Sequence, residues 1–87
     1  MNRKPNDQGY SVRTPKQLGT VLQGYRKHKG LIQVEVGRAV GLAQSGVSEL
    51  ELDPSTASLN RVFKLLAALD LELVVRPRGA ARKVSDW

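Results

Sequence analysis

The sequence predicts an all-α fold: a bundle of four to five helices with one C-terminal β-strand that pairs across a homodimer. Three observations lead there. Apolar residues recur at i, i+3, i+4 and i+7 in the first and last thirds of the chain, the spacing of a buried helix face. Glycines stand at 37 and 41, between two short apolar runs that a tight turn would join. From Leu71 to Arg76 the period drops to two in the segment LELVVR, the alternation of a strand.

The elements follow in order. Pro5, Asn6, Asp7 and Gly9 break any pattern over residues 1–12, which predicts a flexible arm, with Tyr10 placed to pack it onto the domain. TPKQ then opens a helix: Thr14 suits the N-cap, Pro15 the first turn, and Gln17 stands three residues after the cap in the capping-box arrangement. Leu18, Val21, Leu22 and Tyr25 form its apolar stripe. Lys27 and Lys29 suit the negative end of its dipole, and Gly30 the left-handed position that stops it.

A second helix is expected from Gln33 to Val40, burying Val36 and Val40, although Ile32 stands where a polar cap belongs. A third is expected from Gln44 to Leu50, burying Val47 and Leu50, followed by a loop at LDPSTAS. Ser58 can cap a fourth helix with the stripe Leu59, Val62, Phe63, Leu66 and Leu69. The strand Leu71, Glu72, Leu73, Val74, Val75 and Arg76 has no second strand in the chain to pair with, and unpaired backbone groups are costly. Pairing with the same strand of a second copy resolves this; the alternative is an extended tail stacked on the fourth helix. The domain therefore spans residues 13–76, and residues 77–87 form a mobile tail.

Composition narrows the function. The 87 residues make one domain, marginal on its own, with no cysteine and one histidine, His28. Disulfides are excluded and a metal site is not expected. No signal-peptide-like stretch and no membrane-length apolar run is present, which points to a soluble, cytoplasmic protein. No nucleophile–base spacing or phosphate-cradling loop appears, so neither catalysis nor a cofactor is expected. The net charge is +6, with +6 in residues 1–29, −2 in residues 30–76 and +2 in residues 77–87. A polyanionic partner fits this balance, although solvated charge is a common alternative.

The glycines carry the main inference. In a helix-turn-helix beginning at Gln33, Gly37 is the fifth residue, where the two helices press together, and Gly41 the ninth, where the turn needs positive φ. Val47 and Leu50 are the apolar grip of the second helix. A helical hairpin without DNA would explain the glycines but not the outer face, which offers Gln44, Ser45, Ser48 and Glu49. These short or amide-bearing groups suit base edges in a major groove.

From Thr14 to Leu71 the chain resembles the Xre/Cro/C1-type, lambda-repressor-like helix-turn-helix family, and over nearly its whole length the HipB antitoxin group within it. The matching motifs are TPKQL, G.IQ.E, Q..VS..E, SL..VFKLL..LDLEL and the terminal SDW. The resemblance implies a bacterial, nucleoid-associated homodimer that binds a pseudo-palindromic double-stranded DNA operator, represses its own operon, and neutralises a HipA-like Ser/Thr kinase toxin. It implies that Ala43, Gln44, Ser45, Ser48 and Glu49 face bases. Gln33 would meet the phosphate backbone, with Arg13, Lys16 and Arg38 as the nearby cations. It implies a structural ion pair between Arg26 and Glu51, and a toxin contact for Trp87, whose alternatives are an incidental apolar end or one read by a protease. Ile32, Gly37 and the lack of Lys or Arg in the third helix depart from the family pattern. A stand-alone repressor or restriction-system controller without a toxin, or a protein-interaction module that has lost DNA binding, remain the alternatives.

Overall fold

The computed structural model describes residues 9–78. Four α-helices follow one another: α1 Pro15–His28, α2 Gln33–Val40, α3 Gln44–Leu52 and α4 Leu59–Ala68, with a 3-10 turn at Pro54–Thr56 before α4. The chain is all-helical among the described residues.

Local chemistry accounts for each boundary. Thr14 caps α1, its Oγ1 accepting from the Gln17 N–H at 3.1 Å. The Gln17 carbonyl reaches back one residue further than a capping box requires and accepts from the Arg13 N–H at 2.6 Å. The helix ends with Gly30 at φ +74, where the Gly30 and Leu31 N–H groups return to the Lys27 and Arg26 carbonyls. Ile32 supplies α2 with no side-chain cap, but its own N–H donates to Glu35 Oε1 at 3.0 Å, so half of the box survives. Asp53 Oδ1 takes the Ser55 N–H, and Ser58 Oγ the Arg61 N–H, opening the 3-10 turn and α4. At the end of α4, Asp70 adopts φ +59 where glycine is usual, and the Leu71 N–H reaches the Leu66 carbonyl at 2.8 Å.

The core is Leu22 from α1, Val36 from α2, Val47 and Leu50 from α3, and Val62, Leu65, Leu66 and Leu69 from α4 and its end. Each such side chain contributes roughly 1.5–3 kcal/mol when fully buried. α3 packs on both α1 and α2, and α2 on α4. Gly19 makes the first contact possible: a Cβ there would lie 2.5 Å from the Glu51 carbonyl oxygen.

Two expectations are corrected. Val40 is only half-buried, because α2 turns Val36 and Gly37 inward instead. The buried stripe of α4 is Val62, Leu65, Leu66 and Leu69, which rotates Leu59 and Phe63 to the flank, where Phe63 is 49% exposed. Within the single chain residues 71–76 pair with no strand: Leu71 folds back onto the core, while Leu73, Val74 and Val75 are exposed, Val75 by 90%. A strand exists only by pairing, and nothing else in the described chain offers an edge.

Candidate nucleic-acid interface

The turn between α2 and α3 positions the candidate surface. A Cβ at Gly37 would run into the Leu42 carbonyl oxygen and crowd Val47 Cγ2, so α2 and the turn meet at a distance only glycine allows. Gly41 has open space around it but φ +75, so it is the backbone, not the packing, that requires glycine there. The Leu42 N–H closes the turn on the Gly37 carbonyl at 2.8 Å.

Beneath the surface lies an ion pair. Arg26 Nε donates to Glu51 Oε2 at 2.6 Å and its Nη2 to Oε1 at 3.0 Å, a bidentate fork in which Arg26 is 8% and Glu51 4% exposed. Arg26 Nη1 also donates to the Leu31 carbonyl, tying down the connection between α1 and α2. Glu51 Oε1 takes a second donor, Gln33 Nε2, at 3.0 Å. Gln33 Oε1 in turn accepts from Gln44 Nε2 at 2.6 Å. No buried side-chain polar atom among the described residues lacks a partner.

The remaining sequence-predicted residues distribute as follows. Ala43, Gln44, Ser45 and Glu49 are exposed on α3 and the residue before it, whereas Ser48 is half-buried. Gln33 is half-buried at the start of α2, and Arg38 is exposed on the same helix. Arg13 and Lys16 are exposed at the start of α1, a helix with no acidic residue in its first turn. A cation there opposes the helix dipole, and that cost falls when an anion joins it. Tyr10 stacks edge-on against Tyr25, ring centroids 5.9 Å apart. Trp87 and residues 1–8 of the arm lie outside the described residues, as does the tail from residue 79.

Two contacts that matter here have no local sign in the sequence. Gly19 is a long-range contact with α3, which no periodicity announces, and the Gln33–Gln44 bond joins side chains 11 positions apart. Among the described residues no group of three or more His, Cys, Asp or Glu is placed to hold a metal, and no helix is long and apolar enough to cross a membrane.

The family model described as helix-turn-helix matches residues 22–75, which takes in the turn, the ion pair and the whole buried core. The chain belongs to the helix-turn-helix family, of Xre/Cro/C1 type. Within this helix-turn-helix family it is similar to antitoxin HipB of Escherichia coli O6:H1, 27% identical over 82 residues covering 87% of each chain. It is also similar to antitoxin HigA1 of Mycobacterium tuberculosis, 36% identical over 73 residues that cover 83% of this chain and 49% of the relative. Among solved structures, HipB in a HipB–O4 20mer complex superposes with a TM-score of 0.78 at 25% identity, covering 82% of this chain and 100% of that one. A HipA–HipB–O2–O3 complex gives the same score, identity and coverage.

Proposed function

We propose that this helix-turn-helix chain is a homodimeric, sequence-specific repressor that represses its own operon and serves as antitoxin to a HipA-like Ser/Thr kinase. The observation that carries the DNA-binding part is the exposed edge of Ala43, Gln44, Ser45 and Glu49, braced from behind by the buried Arg26–Glu51 pair through Gln33. Amide and hydroxyl groups on such an edge exchange hydrogen bonds with base edges, and Glu49 can accept from a cytosine amino group. Gln33, Arg13, Lys16 and Arg38 supply the phosphate contacts. The exposed Leu59, Phe63, Leu73, Val74 and Val75 support dimerisation, with residues 71–76 pairing as strands between two copies. The likeness to HipB, and to HipB solved together with HipA, supports the toxin assignment. Neutralisation works by binding and restraining the kinase, with Trp87 as a contact.

The test is a titration of the protein against the fragment upstream of its own reading frame and against a scrambled fragment, read by fluorescence anisotropy. With six to ten phosphates neutralised, affinity falls by roughly 10³–10⁵ between about 50 and 200 mM salt. Gln44→Ala and Ser45→Ala weaken the upstream fragment more than the scrambled one; equal losses remove them from base readout. Co-expression with the product of the adjacent gene tests the antitoxin role: a stable complex with a kinase is expected. Specific DNA binding with no such partner favours a stand-alone regulator. Kinase binding without DNA binding leaves a protein-interaction module.

A further inference from the structure

We propose that Glu51 is a positioning residue for base readout, its charge deciding which end of the Gln44 amide is offered to the duplex. This rests on the DNA-binding reading above. A primary amide has two unlike ends, a carbonyl that accepts and an NH2 that donates, and turning it over costs little unless a neighbour discriminates. An ionised carboxylate discriminates absolutely, because it only accepts. Glu51 Oε1 faces Gln33 at 3.0 Å, so Gln33 turns its NH2 inward and its carbonyl toward α3. That carbonyl also only accepts, so Gln44 meets it with its own NH2, at 2.6 Å.

One N–H of Gln44 is thereby engaged, and its carbonyl and second N–H are left for a ligand. Those are the acceptor and donor that adenine's N6 and N7 require. The polarity is held from below as well, since Arg26 is permanently charged and donates twice to the same carboxylate. A charge buried near the C-terminal end of α3 thus dictates the chemistry of an exposed side chain at its first residue.

Three measurements test this. In the free wild-type protein, nitrogen relaxation of the Gln44 side-chain NH2 is expected to show restricted motion, well above the order parameter of about 0.6 that marks a flexible group. A freely moving Gln44 amide overturns the proposal whatever DNA does. In Glu51→Gln the inward acceptor becomes a group that can equally donate. In the charge swap Arg26→Glu with Glu51→Arg, the ion pair is retained but Gln33 now faces a donor and turns over. In both variants the ratio of affinity for the upstream fragment over the scrambled fragment is expected to fall by about 5- to 150-fold, the discrimination carried by one bidentate base contact.

A purely structural pair lowers the melting temperature and leaves that ratio unchanged in the folded variant, which overturns the proposal. Should neither variant fold, Gln33→Met decides it: it cuts the path from Glu51 to Gln44 without touching the ion pair, the same ratio is expected to fall, and an unchanged ratio overturns the proposal. A wild type that does not distinguish the two fragments removes the DNA-binding reading itself. A wild type that does, with variants that do so equally well, removes only the role of Glu51.

Discussion

At Gly37 two considerations pull in opposite directions, and their sizes decide the outcome. Helix propensity favours alanine by about 1 kcal/mol. Against it stands the Leu42 carbonyl oxygen, a backbone atom that cannot rotate away from an added methyl. Gly37→Ala is therefore expected to destabilise the protein by about 1–3 kcal/mol, the range for overpacking, seen as a lower urea midpoint with an unchanged slope. A gain in stability would show that the turn relaxes freely. Asp70 presents the converse case. Its φ of +59 is costly for a residue with a Cβ, and its charge sits at the negative end of α4. Asp70→Gly is expected to raise stability by about 0.5–1 kcal/mol, once the greater freedom of glycine in the unfolded chain is subtracted. Chemical denaturation of the pair measures it, and no gain would mean that the Asp70 side chain holds something in place.

Helices of this length are held mainly by their buried faces, and their ends decide where they start and stop. The caps at Thr14 and Ser58 and the stop at Gly30 are legible because each uses a residue type with a specific local role. The buried stripe of α4 was half legible. Apolar residues occupy 59, 62, 63, 65, 66 and 69, an arc wider than one face, and only tertiary packing selects Leu65 over Phe63. Gly19 and the amide contact between Gln33 and Gln44 were not legible at all, since both depend on where α1, α2 and α3 come to rest against one another. The unsatisfied end of α2 suggests a simple improvement. Ile32 is 58% exposed and buries little, so Ile32→Thr is expected to add about 1 kcal/mol by capping the helix that now relies on Glu35 alone. Thermal unfolding tests it; a loss would mean that the exposed half of Ile32 understates its packing.

For the molecule as a whole, charge and apolar surface lie in different places. The basic excess lies in the sequence at residues 1–29 and 77–87, while Leu59, Phe63, Leu73, Val74 and Val75 leave an apolar surface along α4 and the segment after it. The sequence signalled a strand there, and a single chain cannot express one, because the pairing edge must come from elsewhere. Leu73→Asp with Val75→Asp is expected to turn a dimer into a monomer in sedimentation. It is also expected to weaken binding to a two-half-site fragment by roughly 100-fold or more, as simultaneous engagement is lost. A variant that stays dimeric would place the contact on α4 alone.

The close approach at Gly37 has a genetic corollary. Every missense change there introduces at least a methyl, so the codon tolerates no replacement that leaves the turn as it is. At Gly41 the obstacle is only conformational, and asparagine would satisfy it. A single base change turns some glycine codons into aspartate codons, and Asp70 already holds a left-handed conformation in this chain, so of the two hinges only Gly37 is closed to gradual drift.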